Sequence, residues 1–439
     1  MNKIYIFLTV LAVLFQSNIV AQKSNIGDLI KSKANQIEKK VIAWRQDFHQ
    51  NPEMGNREFR TADIVAKHLQ SLGFEVKTKV AYTGVVAVLK GGQSGPVIAL
   101  RADMDALPVE EKNGLPFASK VKIDYNGKTT SVMHACGHDA HTAILMGVAE
   151  VLASMKNDIR GTVKFIFQPA EEGAPENEEA GAALMVKEGV LDNPKVEVVF
   201  GLHIDAQLDT NKLSYCPGGT FAGVSNFKIT VKGKASHGSQ PWLAVDPILV
   251  SAQIITSLQQ IVSRNVQLIE NPAVLTVGMI NGGNRTNVIP AEVEFLGDIR
   301  TFSPSDEKLL YKRIVQIAEK TAEAAGAIAV VQIPYIDRYP VTFNNLALTK
   351  AMLPSLEKSA GKENVSLVRP VTLAEDFSFF AEKVPGLYFR LGALPKGKDV
   401  ATSGPHHTAD FFIDESSFKT GVIAFCNLVF DYPDMGLKK

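Results

Sequence analysis

Cysteine is scarce in this chain: three residues in 439, at Cys136, Cys216 and Cys426. An odd number excludes complete pairing, so at least one thiol is free, metal-bound or joined to another chain. Cys216 and Cys426 could pair or be plain core residues. Neither sign of charge is in excess, with 46 basic and 46 acidic residues. Without a basic surplus to neutralise phosphates, a nucleic-acid binder is excluded. Low-complexity tracts and internal repeats are absent. Beyond the N-terminus no apolar run approaches membrane length. HExxH and paired CxxC motifs are missing too, which removes the two most familiar zinc signatures.

What is present is enough chain for two or three domains, at roughly 100–200 residues each. The N-terminus stands apart. Lys3 gives a positive start, Ile4 to Phe15 is almost purely apolar, and polar Gln16, Ser17 and Asn18 precede the small Ala21. This reads as a secretory signal peptide over residues 1–21, too short for a comfortable membrane span; an uncleaved anchor is the alternative. An exported protein, periplasmic or secreted, is expected. No cysteine near the cleavage region marks a lipid-attached form.

Apolar spacing predicts helices at Ile26 to Phe48, Thr61 to Leu72, Ala140 to Ala153 and Ala180 to Glu188. Strands are predicted at Val97 to Leu100, Val163 to Phe167 and Val196 to Leu202. Strands separated by helices imply an α/β fold with a parallel or mixed sheet. Near residue 220 the rhythm changes. Strand Phe227 to Val231, helix Val245 to Val262, strands Ala273 to Ile280 and Val293 to Ile299, helix Glu307 to Ala325 and strand Ala327 to Ile333 follow in turn. That β-α-β-β-α-β order is the split pattern of an α+β ferredoxin-like domain. Alternation then resumes with a helix near Asn345 to Lys358, a strand at Leu387 to Leu391 and a helix from Glu415 to Phe430. The small domain, 219–334, is therefore inserted into a larger one formed by 25–218 and 335–439.

The densest cluster of possible ligands is Met133-His134-Ala135-Cys136-Gly137-His138-Asp139-Ala140-His141. Thiolate and imidazole suit zinc and related cations; a His-rich loop packed by hydrogen bonds is the plainer reading. Three predicted strands run into polar groups. One leads to Arg101-Ala102-Asp103-Met104-Asp105, one to Gln168-Pro169-Ala170-Glu171-Glu172-Gly173, and one to His203-Ile204-Asp205. Open α/β sheets build their sites beyond the carboxyl ends of strands. Glu171 and Glu172 are neighbours whose side chains point apart, so one can ligate metal and the other serve as general base. Glu176, Glu178 and Glu179 read as a solvated acidic loop, and His406-His407 adds two imidazoles near the end.

HACGHDAH, QPAEEG, GLH, GKASHGSQP, NVIP, AEDF and HHTADF occur here in the order seen in metallopeptidase family 20. The chain resembles most its amidohydrolase branch of hippurate, N-acyl-amino-acid and auxin-conjugate hydrolases, over roughly Ile37 to the end. The resemblance implies two divalent metal ions (zinc, manganese, cobalt or nickel) on Cys136, His138, Glu172, His203 and His407, with Glu171 as catalytic base. His407 rather than His406 is implied, because it stands four residues before Phe411. Asp105 is implied as an acidic support beside the metals, and His134 and His141 as supporting or packing residues. The inserted domain is implied to be a lid that dimerises, its His237 reaching the partner's site to stabilise an oxyanion. Asn287 and Arg300 are implied to hold substrate, Arg300 through a carboxylate. The implied reaction is hydrolysis of the amide bond of a small N-acyl amino acid. An exopeptidase, a dipeptidase or a deacetylase of cell-wall-derived amino acids is the nearest alternative, a non-catalytic metal-binding homologue a more distant one. The acidic stretch Ala174 to Glu179 is longer than usual in the family.

Overall fold

The computed structural model describes residues 2–125, 127–335 and 338–435, with side chains from Ile26 onward. The expected signal peptide thus lies outside the described side chains. Among the described residues no helix is long and apolar enough to cross a membrane. The chain folds as two compact units. One comprises the chain up to Tyr215, Ala347–Leu367 and the chain from Val384; the other comprises Cys216–Leu346 and Val368–Lys383. The inserted domain expected over 219–334 therefore takes in three further stretches, 335–346, 368–383 and 216–218. Short strands account for the first difference: Thr342–Asn344 pairs with Gly218–Phe221 inside the second unit, a pairing with no signal in local hydrophobic spacing.

The first unit is built on an eight-stranded sheet. Its order is Glu75–Val80, Gly84–Lys90, Arg160–Gln168, Gln93–Asp103, Val198–Asp209, Gly386–Leu394, Leu213–Tyr215, Val365–Leu367. The four central strands, Arg160–Gln168 to Gly386–Leu394, pair in parallel, whereas Gly84–Lys90 pairs antiparallel with both of its neighbours. The central strands are apolar on both faces because helices cover both. The helix His138–Ser154 is buried nearly all round. With the described part of Asn2–Gln50 and with Phe418–Asp431 it shares one core holding Ile30, Val41, Ile144, Val148, Phe389 and Phe425. Each such side chain contributes about 1.5–3 kcal/mol by leaving water. The helix Phe59–Ser71 lacks a side-chain cap at its own first position. Glu53 supplies one from upstream, its carboxylate accepting from the Arg60 and Thr61 amides at 2.9 and 2.8 Å, which satisfies amides that the helix itself leaves open.

In the second unit Ala273–Gly282, Glu292–Thr301, Gly223–Lys232 and Ile328–Gln332 form an antiparallel sheet in that spatial order. Numbered along the chain the order is 2-3-1-4, the arrangement that the β-α-β-β-α-β sequence calls for. Gly223–Lys232 alternates buried and half-exposed residues along its length, as a strand with one face on a core must. Helices Pro247–Asn265 and Pro304–Ala324 cover that face. Both begin with proline behind an oxygen cap, Asp246 and Ser303, the combination that starts a helix most sharply. A Cβ at Gly297 would lie 2.2 Å from the Phe227 ring, so the ring occupies the space that any larger residue would need. All three cysteines are free thiols.

Candidate metal centre

Three loops and one strand of the first unit meet at the carboxyl ends of the central strands. The loop before His138–Ser154 carries Cys136. Gly137, at φ 95°, turns it into the helix, and a Cβ there would approach the Ile204 side chain to 2.2 Å. Glycine is thus required twice over, by conformation and by space. Arg160–Gln168 leads through Ala170, at φ 51°, to Glu171 and Glu172. His203 sits inside its strand rather than just past it. Val198–Asp209 extends well beyond the predicted end at Leu202, with Ile204 and Ala206 buried and His203 and Asp205 half-buried. The period-2 alternation after Leu202 is the signal that the sequence reading passed over. His407, at φ 64°, lies in a loop stapled to the first one, its amide donating to the Ala135 carbonyl at 2.8 Å.

The five side chains implied as ligands converge. Cys136 Sγ lies 3.5 Å from His203 Nε2 and 3.3 Å from His407 Nε2. Glu172 Oε1 is 2.9 Å from His407 Nε2 and 4.0 Å from His138 Nε2. Among the sets whose donor atoms lie within 4.8 Å of one another are Cys136, His138 and His203; Cys136, Glu172 and His407; and His138, Glu171 and Glu172. The first two share Cys136, so two adjacent cation positions can be drawn from one cluster. Asp105 ties the sets together. Its Oδ1 is 3.0 Å from His138 Nδ1, and its Oδ2 accepts from the Glu172 amide at 2.9 Å.

Tautomers follow from these partners. His203 Nδ1 donates to the Ile204 carbonyl at 2.5 Å, which puts the lone pair on Nε2, toward Cys136. His138 donates from Nδ1 to Asp105, while its buried Nε2 finds no hydrogen-bond partner among the described residues. Buried polar atoms are rarely left so, and a carboxylate behind an imidazole is the usual support of a metal-binding histidine. The donor chemistry and this orphaned nitrogen therefore fit divalent cations. His141 plays a supporting part: Nδ1 meets Asp103 at 2.5 Å and Nε2 accepts from the Ile204 amide at 2.8 Å. Both ring nitrogens of His406 meet backbone groups: Nε2 accepts from the Ala206 amide at 3.1 Å and Nδ1 faces the Cys136 carbonyl at 3.2 Å. His134 is buried, and neither ring nitrogen has a hydrogen-bond partner among the described residues.

The electrostatics agree with a site shaped for positive charge. Burial opposes protonation of His138, yet the carboxylates of Asp103, Asp105 and Glu172 outweigh it and lift its pKa to about 10. Burial, with Glu172, Glu171 and Asp103, pushes the Cys136 thiol well above its ordinary value. His203 is held neutral, chiefly by burial. With only protons to share, the cluster keeps them; a cation displaces them and takes the thiolate.

Behind the ligand loop, Asp139 accepts from Arg45 Nε at 2.9 Å and lies 2.7 Å from His49 Nδ1, and His49 Nε2 meets Glu111 at 2.9 Å. None of these partners was foreseen in the sequence. The remaining predicted residues belong to the second unit. His237 is exposed on the short strand Ser236–His237, with Nδ1 2.6 Å from Ser239 Oγ. Asn287 is exposed, and its carbonyl accepts from the Gly238 amide at 2.8 Å. Arg300 uses Nε on Asp298 at 2.9 Å and Nη1 on the Thr372 carbonyl at 3.0 Å, so two of its donors are already engaged.

A mixed α/β sheet that gathers thiolate, imidazole and carboxylate donors around paired positions defines a dinuclear metallopeptidase type of centre. The chain belongs to peptidase family M20/M25/M40, matching it over residues 99–431. It is 36% identical over 409 residues to thermostable carboxypeptidase 2 of Saccharolobus solfataricus, covering 93% of this chain and 99% of that one. It is 37% identical over 383 residues to N-acetyl-L-cysteine deacetylase of Bacillus subtilis, covering 87% and 85%. Among solved structures it is similar to the Bacillus subtilis YXEP protein, a dinuclear metal binding peptidase of the M20 family. That likeness has a TM-score of 0.74 and 31% identity, over 91% of this chain and 99% of the other. The chain is a metal-dependent hydrolase acting on amide bonds, with small-molecule substrates.

Proposed function

We propose that the protein hydrolyses the amide of N-acyl amino acids, with Glu171 as general base and Cys136, His138, Glu172, His203 and His407 as metal ligands. The observation that carries this is the convergence of those five donors beside a second glutamate within reach of both His138 and Glu172. Divalent cations held there supply Lewis acidity, polarising the carbonyl and acidifying water. Glu171 takes the proton of the attacking water and returns it to the leaving nitrogen, yielding a carboxylate and a free amino acid. Glu172 and Asp105 keep the imidazoles aimed; His141 and Asp103 fix the strand from behind. The test is Glu171→Gln: metal content by elemental analysis stays as in wild type, while kcat falls by about 100-fold or more, the upper part of what a positioned base contributes. Retained turnover would remove Glu171 from the reaction. Reconstitution with zinc, manganese, cobalt and nickel in turn identifies the working ion.

A second reading, cleavage of a terminal peptide bond, is favoured by the carboxypeptidase relative. A panel of N-acetyl, N-benzoyl and dipeptide substrates separates the two. The second unit is proposed to be a lid that pairs with another copy, because Trp242, Leu249 and Ile280 are exposed on it. His237 would then serve the partner's site by stabilising the oxyanion, and Asn287 and Arg300 would hold substrate. Sedimentation tests the pairing, and kcat of His237→Ala tests the histidine. Export is proposed from the apolar leader that follows Lys3; N-terminal sequencing of the mature protein tests it.

A further inference from the structure

Glu58 is fully buried, yet it is neither a metal donor nor part of the chemistry above. It stands just before the helix Phe59–Ser71. Its Oε1 accepts from the Ala170 amide at 2.8 Å, and its Oε2 accepts from the Thr83 hydroxyl. Ala170 is in the left-handed region, at φ 51°, which a residue with a side chain adopts reluctantly. It immediately precedes Glu171, so any relaxation at Ala170 swings the Glu171 carboxylate.

The residues around Glu58 grip the same loop. A Cβ on Gly55 would lie 2.0 Å from the Gly173 carbonyl. Asn56 Nδ2 donates to Glu178 at 3.0 Å and to the Glu179 carbonyl at 3.1 Å, and Arg57 Nη2 donates to Glu178 at 2.6 Å. The Glu53 carbonyl accepts from the Ala106 amide at 2.8 Å, next to Asp105. The stretch Glu53–Glu58 thus clamps both ends of the acidic loop that runs from Ala170 to Glu179, together with the strand end that carries Asp105. The length of that loop, which left its geometry open in the sequence, is answered by this clamp.

We propose that Glu58 is a positioning residue for Glu171: by holding the Ala170 amide it keeps the left-handed turn that aims the base. The proposal rests on the reading of Glu171 as base. Glutamine at position 58 keeps an oxygen for the Ala170 amide and turns an NH2 toward Thr83, so it preserves the hold; alanine removes it.

Three variants test this beside Glu171→Gln, each assayed for kcat, KM and bound metal. Glu58→Ala lowers kcat by about 10- to 100-fold, the cost of a base displaced by about 1 Å, with KM and metal content unchanged. Glu58→Gln restores kcat to within about threefold of wild type, because the amide contact survives. Thr83→Val, which loosens the lower strut and leaves Glu58 in place, lowers kcat by a smaller factor and carries the test if Glu58→Ala does not fold. The proposal is overturned if Glu58→Ala or Thr83→Val keeps full kcat, if Glu58→Gln falls as far as alanine, or if the loss follows loss of metal. An inactive Glu171→Gln beside a fully active Glu58→Ala overturns the positioning role alone, whereas an active Glu171→Gln overturns the base itself.

Discussion

At the scale of single residues, the sequence pointed to side chains that the fold brings together, but not to what holds them in place. Cys136, His138, Glu172, His203 and His407 come together, and backbone groups face both nitrogens of His406. Residue type and motif order carry that information because ligand chemistry is selective. Glu58 carried no comparable signal: its partners are 25 and 112 positions away, and a glutamate before a helix is commonplace. Its burial has a consequence that titration can check. Burial raises its pKa from 4.5 to about 8, aided by the charge of Asp105 and opposed by the bonds from Thr83 and the Ala170 amide. Arg57 and Tyr125 in turn feel the charge of Glu58. In that window the folded protein holds a proton that the unfolded chain has released, so stability falls as pH rises. The slope from this one group is at most about 1.4 kcal/mol per pH unit. Melting temperatures of wild type should therefore drop more steeply between pH 5 and pH 8 than those of Glu58→Gln; parallel profiles would show that Glu58 ionises as an ordinary surface glutamate.

At the scale of elements, long periodic segments were legible and short irregular ones were not. The helices at 138–154, 247–265, 304–324 and 418–431 fall within a few residues of their predicted spans, because an amphipathic or wholly apolar run of that length has few alternatives. The hairpin of Lys122–Tyr125 and Lys128–Ser131 left no such pattern, nor did Leu213–Tyr215. Each is short, and its pairing is fixed by partners rather than by its own residues. The same limit hid the anchor of the helix His138–Ser154. Asp139 in its first turn and Arg45 are both essentially without exposure, 94 positions apart. Removing the carboxylate leaves a buried guanidinium whose polar neighbours include Glu415 and His49 but no longer the fully buried acid. Breaking a buried pair from one side costs about 3–5 kcal/mol, so Asp139→Ala should lower the urea midpoint by that equivalent. A loss under about 1 kcal/mol, the value of an exposed pair, would mean that Arg45 finds water instead.

At the scale of the whole molecule, all five proposed ligands belong to the first unit, and each unit has a core of its own. Metal binding should therefore stabilise one unit and leave the other to its own packing. The two tryptophans divide in the same way. Trp44 packs edge-on against His68, their ring centroids 4.6 Å apart, in the first unit, and Trp242 is exposed in the second. In a Trp242→Phe variant, fluorescence reports Trp44 alone. Saturation at 100 times the dissociation constant adds about 2.7 kcal/mol per site to the unit that binds, and nothing to one that does not. Stripping metal with a chelator should move the Trp44 melting transition down by several degrees. The part of the far-ultraviolet signal that belongs to the second unit should melt where it did before. Re-adding the ion should restore the Trp44 transition, and more so at higher concentration. If both transitions moved together, the units would be melting as one cooperative body. If the Trp44 transition stayed in place, Cys136, Glu172 and the three histidines would be holding no cation that the fold depends on.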